Sequence, residues 1–171
     1  MNNPTPIPQS AAAALVGDPA SFGRVDESGV VYVRTLDGER AVGSYPGKSN
    51  EEALAYFVRK FEVLASEVAL TADRLRNGAM LAEDGEEAIK KLRQQVETIN
   101  AVGNLEALKI AVENISPLAQ ARREAEAARK AAAAAAKAEA KIMAAAEKEK
   151  IVAEAESLAD SDSWKSTGDR L

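Results

Sequence analysis

Cysteine and histidine are both missing from these 171 residues. Their absence removes thiolate nucleophiles, disulfides, zinc sites built on Cys or His, and the usual general base at neutral pH. A cysteine-free composition fits a cytoplasmic protein. Aromatic residues are scarce at 4 %, with a single tryptophan. Hydrophobic residues reach 46 %, but much of that is alanine, and the large side chains concentrate before position 118. Any core must therefore lie there. Long apolar runs are lacking too. The run Ala11–Val16 is too short for a signal segment or a membrane span, and no positive charge precedes it, so no membrane association is expected. None of the glycine-rich phosphate-binding or nucleophile-elbow patterns occurs. No cofactor, no metal and no small-molecule substrate is expected, and the chain reads as a non-enzyme. Nor is there a basic excess. The 22 basic and 27 acidic residues leave a net charge of −5, which argues against a general nucleic-acid binder with its basic field.

What is present divides into segments. Residues 1–20 hold Pro4, Pro6, Pro8 and Pro19 and read as a flexible Pro/Ala-rich tail. Residues 21–48 contain the β-branched and aromatic run Val30–Thr35. Asp37-Gly38 predicts a type I′ hairpin turn, whose two central residues both need positive φ. Glu27-Ser28-Gly29 is a second turn candidate. The expectation is an antiparallel three-stranded meander over about Gly23–Asp26, Val30–Leu36 and Glu39–Tyr45. So small a sheet is unstable alone and must pack on something.

Helices follow at once. Ser49 with Glu52 predicts a capping box. Leu54, Phe57, Phe61, Leu64, Val68, Thr71 and Leu75 then recur at steps of three and four, a heptad-like seam. Asn77-Gly78 should stop this helix. A second helix is expected from Asp84, with the seam Ile89, Leu92, Val96 and Ile99 and a stop at Gly103. Asn104 should cap a third, with the seam Leu105, Leu108, Val112 and Ile115. Short loops favour antiparallel neighbours. Residues 49–116 thus read as a helical bundle that forms one head domain with the meander. The fold class is mainly α: the small meander on a helical hairpin or three-helix bundle, followed by a long Ala-rich helix.

That long helix is expected over residues 117–159, beginning afresh at Ser116-Pro117. Nearly half of it is alanine, the best helix former. Between Leu118 and Ile142 it has no large apolar side chain. It reads as a spacer held by propensity and charge pairs, or as an arm that pairs closely through alanine. Ile142, Met143, Ile151, Val152 and Leu158 resume an apolar face near its end. Asp160-Ser161-Asp162-Ser163 should break the helix and cap a segment starting at Trp164.

Few residues suggest chemistry. Asp26 and Glu27 are adjacent carboxylates on a turn, an arrangement that is usually just solvated. Tyr32, Arg34, Arg40 and Tyr45 on the meander are the favoured protein-binding surface, since sheet edges are the default location for docking. Tyr32, Tyr45, Tyr56 and Phe57 also suit a base-stacking platform, although core use is the simpler reading. Arg122, Arg123, Arg129, Lys130, Lys137 and Lys141 are the candidates for phosphate contact, interrupted by Glu124, Glu126 and Glu139.

The segment "GRVDESGVVYV…DGERAVGS", the helices and Ala/Glu/Lys run after it, and the closing Trp164-Lys165…Gly168-Asp169-Arg170 carry a resemblance. Together they resemble the N-terminal half of actinobacterial proteins of the domain of unknown function 349 family. The resemblance covers most of the chain after about residue 20. It implies that residues 160–171 open the first of several charged helical repeats, truncated here, and that Trp164 belongs to that repeat. It implies no catalytic residues. The leading reading is a cytoplasmic interaction or scaffold protein whose head binds a protein partner or a second copy. The alternative is a ribosome- or nucleic-acid-associated factor that uses the Arg/Lys face of the long helix.

Overall fold

The computed structural model describes the backbone of residues 17–168 and the side chains of residues 17–160. Most of the predicted tail, and the side chain of Trp164, lie outside those residues. The chain divides into two units with the boundary after Glu124.

The first unit opens earlier than the sequence suggested. Asp18 caps a 3-10 turn at Pro19–Phe22, its Oδ1 accepting from Ala20 N at 3.0 Å, and Pro19 is buried. Pro19 thus belongs to the folded head rather than to the tail. The meander follows as β1 (Gly23–Val25), β2 (Val30–Thr35) and β3 (Gly38–Ser44), antiparallel in the order β1-β2-β3. The β1–β2 turn is tied by Asp26, whose Oδ1 accepts from Ser28 N and Val30 N at 2.9 Å each. This is the side-chain mimicry of a turn that aspartate supplies. The β2–β3 turn is not type I′, because no described non-glycine residue has positive φ and within the turn only Gly38 does, at φ 109°. Leu36 and Asp37 make the turn, and Gly38 absorbs the twist as the first residue of β3. The Thr35 hydroxyl donates to Gly38 O at 2.7 Å across it. A bulge at Val42 lets Val31, Val33 and Val42 all face the core, where they are buried.

Three helices complete the head: α1 (Asn50–Arg76), α2 (Ala82–Thr98) and α3 (Leu105–Glu113). The capping box forms as expected, with Ser49 N donating to Glu52 Oε2 and Glu52 N to Ser49 Oγ. Six of the seven predicted seam residues of α1 are buried, and Leu54 is half-buried. Asn77 and Gly78 end the helix, with Gly78 at φ 79°.

The second helix departs from expectation at both ends. It begins at Ala82, without a side-chain cap, because Ala82 and Gly85 are buried against the head. It ends at Thr98, not at Gly103. Residues 99–104 are a connector that runs through the core. Ala101 and Val102 are fully buried, and Val102 N donates to the Phe57 carbonyl of α1 at 3.1 Å. Gly103 therefore serves packing rather than termination: a Cβ there would overlap the Phe61 ring. Asn104 caps α3, accepting from Ala107 N at 3.0 Å.

α4 (Ser116–Gly168) starts afresh after α3. Ser116 Oγ accepts from Arg93 rather than capping a backbone amide. Its first turns belong to the head. Ile115 and Ala119 are buried there and Leu118 packs against the core. Arg122 Nε donates to Met80 O at 3.0 Å, and Arg123 forks onto Glu86. The head boundary lies near Glu124, seven residues beyond the predicted one at Pro117. The second unit is helical from Ala125, and the expected break at residues 160–163 does not occur, since the helix continues to Gly168. The apolar residues near its end do not form one face. At about 100° per residue Met143, Ile151 and Leu158 fall within about 80° of one another, while Ile142 and Val152 point elsewhere.

Two outcomes are expected. Gly103→Ala should cost about 1–3 kcal/mol by overpacking against Phe61, read from urea melts. A chain ending after Glu124 should melt cooperatively, whereas one ending after Ser116 should lose about 2 kcal/mol or more with Leu118 and Ala119.

Candidate functional site: an apolar groove on the first helix

The buried seam of α1 uses one side of the helix. A second apolar series runs along another side. Tyr56, Val63 and Leu70 are spaced seven residues apart and are 42 %, 63 % and 49 % exposed. Seven residues are close to two turns, so the three form a line about 20 Å long. Leu64 of α1, Gln95 and Thr98 of α2, and Ile99 just beyond α2 close the other side of a groove of about 530 Å³. Arg59, Lys60 and Glu67 line it as well.

The groove has an aromatic, cationic end. The Tyr45 and Tyr56 ring centroids are 4.8 Å apart, and Tyr56 meets buried Phe57 edge-on at 5.1 Å. Lys60 Nζ lies 4.9 Å from the Tyr56 centroid. Neither Arg59 nor Lys60 forms an ion pair among the described residues. Gln95 contributes a further feature. Its Oε1 is buried with no hydrogen-bond partner, and a buried acceptor left unpaired costs about 1–3 kcal/mol.

The residues predicted as a meander surface do not come together. Tyr32 and Arg34 alternate with buried Val31 and Val33, so they lie on the outer face of the sheet. Arg24 covers Tyr32 at 4.4 Å and forks onto Glu39 at 2.8 and 2.9 Å. That hydrogen bond, with the guanidinium charge, holds the Glu39 carboxyl below its ordinary range and raises Arg24. Arg34 donates to Ser21 O at 3.0 Å. Arg40 lies on the opposite face and donates to Ile99 O at 3.1 Å. Tyr45 does not line the groove but stacks on Tyr56, which does. Arg93 and Glu113 make a similar fork between α2 and α3, at 2.6 and 2.7 Å, and the hydrogen bond again lowers the carboxyl. These pairs brace the fold. Asp26 is committed to its turn.

The groove was legible in part. The seven-residue spacing of Tyr56, Val63 and Leu70 is in the sequence, but nothing local shows that one α1 seam is covered and the other open. Ile99 and Gln95 join it only through the packing of α2. No family model, no curated protein and no solved structure matches the chain.

Gln95→Leu removes the unpaired acceptor and keeps the volume. The variant should be as stable as the parent or more stable by about 1 kcal/mol in chemical denaturation.

Proposed function

We propose that this protein is a non-enzymatic interaction module whose head binds a protein partner along the outer line of α1. The carrying observation is the exposed series Tyr56, Val63 and Leu70 beside the groove. A contiguous exposed apolar patch marks an interaction site, and a line of apolar residues at two-turn spacing is the shape that another helix covers. The groove suits an amphipathic helix read through anchors at matching spacing. Tyr56 and the aromatic cluster beside it supply the rigid anchor typical of interface centres. Arg59 and Lys60, without an ion-pair partner among the described residues, favour a helix with carboxylates flanking its apolar face. The chain's acidic balance and lack of histidine and cysteine are consistent with binding rather than catalysis. Within this reading the second unit acts as a spacer.

A photo-crosslinking residue at position 63 tests the reading in cells, with position 36 as control. Leu36 is 82 % exposed but sits at the β2–β3 turn, away from the groove. A protein adduct from position 63 alone is expected. Val63→Asp should then weaken that complex about tenfold or more, with stability changed by no more than about 0.5 kcal/mol. Adducts formed equally from both positions, or none from position 63, would sink the proposal. An adduct with a second copy of the chain would assign the groove to self-association.

A further inference from the structure

The second unit carries a charge pattern that its composition conceals. Lys130, Lys137, Lys141 and Lys148 are separated by seven, four and seven residues. On the continuous helix, at about 100° per residue, they fall within about 40° of one another. All four are exposed. They mark a line of about 27 Å at about 1.5 Å rise per residue.

From Lys137 onward the line is uncompensated, whereas Lys130 has Glu126 four residues before it. Residues three or four away from Lys137 are Ala133, Ala134, Ala140 and Lys141. For Lys141 they are Lys137, Ala138, Ala144 and Ala145. For Lys148 they are Ala144, Ala145, Ile151 and Val152. None is a carboxylate, so the i,i+4 pairing that ordinarily steadies a charged helix is lacking here. Lys137 and Lys141 even stand as a like-charge pair. The basic residues off the line differ. Lys150, on the opposite side, has Glu147 and Glu154 at those positions, and Arg129 shares Glu126 with Lys130. Glu139 also points away from the line. Across a helix about 10–12 Å in diameter, Glu139 and Glu154 are about one Debye length from the lysines at physiological salt, while Glu147 and Glu149 flank Lys148 about 100° round the helix. The overall charge of −5 therefore does not cancel the local field.

We infer that Lys130, Lys137, Lys141 and Lys148 form a site for the phosphodiester backbone of a nucleic acid, bound without regard to sequence. The absence of apolar anchors decides between partners. Protein interfaces centre on buried aromatic or aliphatic anchors, and interfacial membrane helices need a large apolar face opposite the charges. This line is bordered mainly by alanine. Backbone phosphates need only regularly placed cations, and small flanking side chains let a strand approach closely. The site differs from the one suggested by sequence alone. Arg122 and Arg123 are engaged on the head, Arg129 lies off the line, and Lys148 joins it. The inference is independent of the groove on α1.

The test is binding of the full chain to short fluorescent DNA and RNA duplexes of mixed sequence. With four phosphate contacts, affinity should fall roughly 100-fold between about 50 and 200 mM salt. The triple variant Lys137→Gln/Lys141→Gln/Lys148→Gln keeps helix propensity. Its affinity should drop, and its salt dependence should shrink to under about 10-fold. Lys150→Gln should bind like the parent, and Val63→Asp should also bind like the parent. No binding at low salt, or equal losses from Lys150→Gln and the triple variant, would overturn the inference. Tighter binding to poly-glutamate than to either duplex would overturn it in favour of an acidic protein.

Discussion

Two phenylalanines of α1 occupy space that two glycines leave open, and the head depends on that fit. Phe57 lies under Gly43 of β3, where a Cβ would sit 3.0 Å from the ring. Phe61 fills the space beside Gly103 in the connector. The first contact seats the sheet on the helix. The second draws residues 99–104 inward and so fixes where α2 ends and α3 begins. A three-stranded sheet has too little surface to be stable alone. Its Val31, Val33 and Val42 become core only because α1 brings these rings to them.

The same fit creates the open groove. An α-helix has room for more than one apolar line, and α1 turns only one toward the sheet. Because the connector passes under Phe61 and bonds to Phe57 O, the end of α2 is held beside the other line. Ile99 and Gln95 then form a wall opposite Tyr56 and Val63. Surface forks such as Arg24–Glu39 and Arg93–Glu113 join neighbouring elements, but exposed pairs of this kind contribute little to stability. Their effect is better seen as fixing register between strands and between helices. The two candidate surfaces also differ in character. The groove is apolar with a cationic rim, whereas the lysine line is cationic with scarcely any apolar surface.

Much of the fold was legible because its signals are local. Turn residues Asp26 to Gly29 and Gly38, the Ser49–Glu52 box, Asn104 and the three-and-four spacing of the seams are each decided within a few residues. Errors arose where distant packing overrode a local signal. Gly103 reads as a stop but is a packing glycine. Asp84 reads as a helix start, but the helix starts at Ala82, which is buried. Asp160-Ser161-Asp162-Ser163 reads as a break, but flanking helix formers carry the helix through it. Tyr32, Arg34, Arg40 and Tyr45 are close in sequence, yet strand alternation, a bulge and the α2 terminus send them to different places.

The sequence by itself determined the order and kind of the elements, the seam that α1 buries and the spacing of the lysines on the long helix. These follow from backbone preference and helical periodicity, which need no knowledge of distant residues. Only the tertiary structure decided which apolar line of α1 stays open, where the head ends, and which arginines are consumed by it. Arg122 and Arg123 look like Lys137 and Lys141 in the sequence. They differ because Met80 O and Glu86 lie within their reach, and that depends on how α2 packs against the first turns of α4.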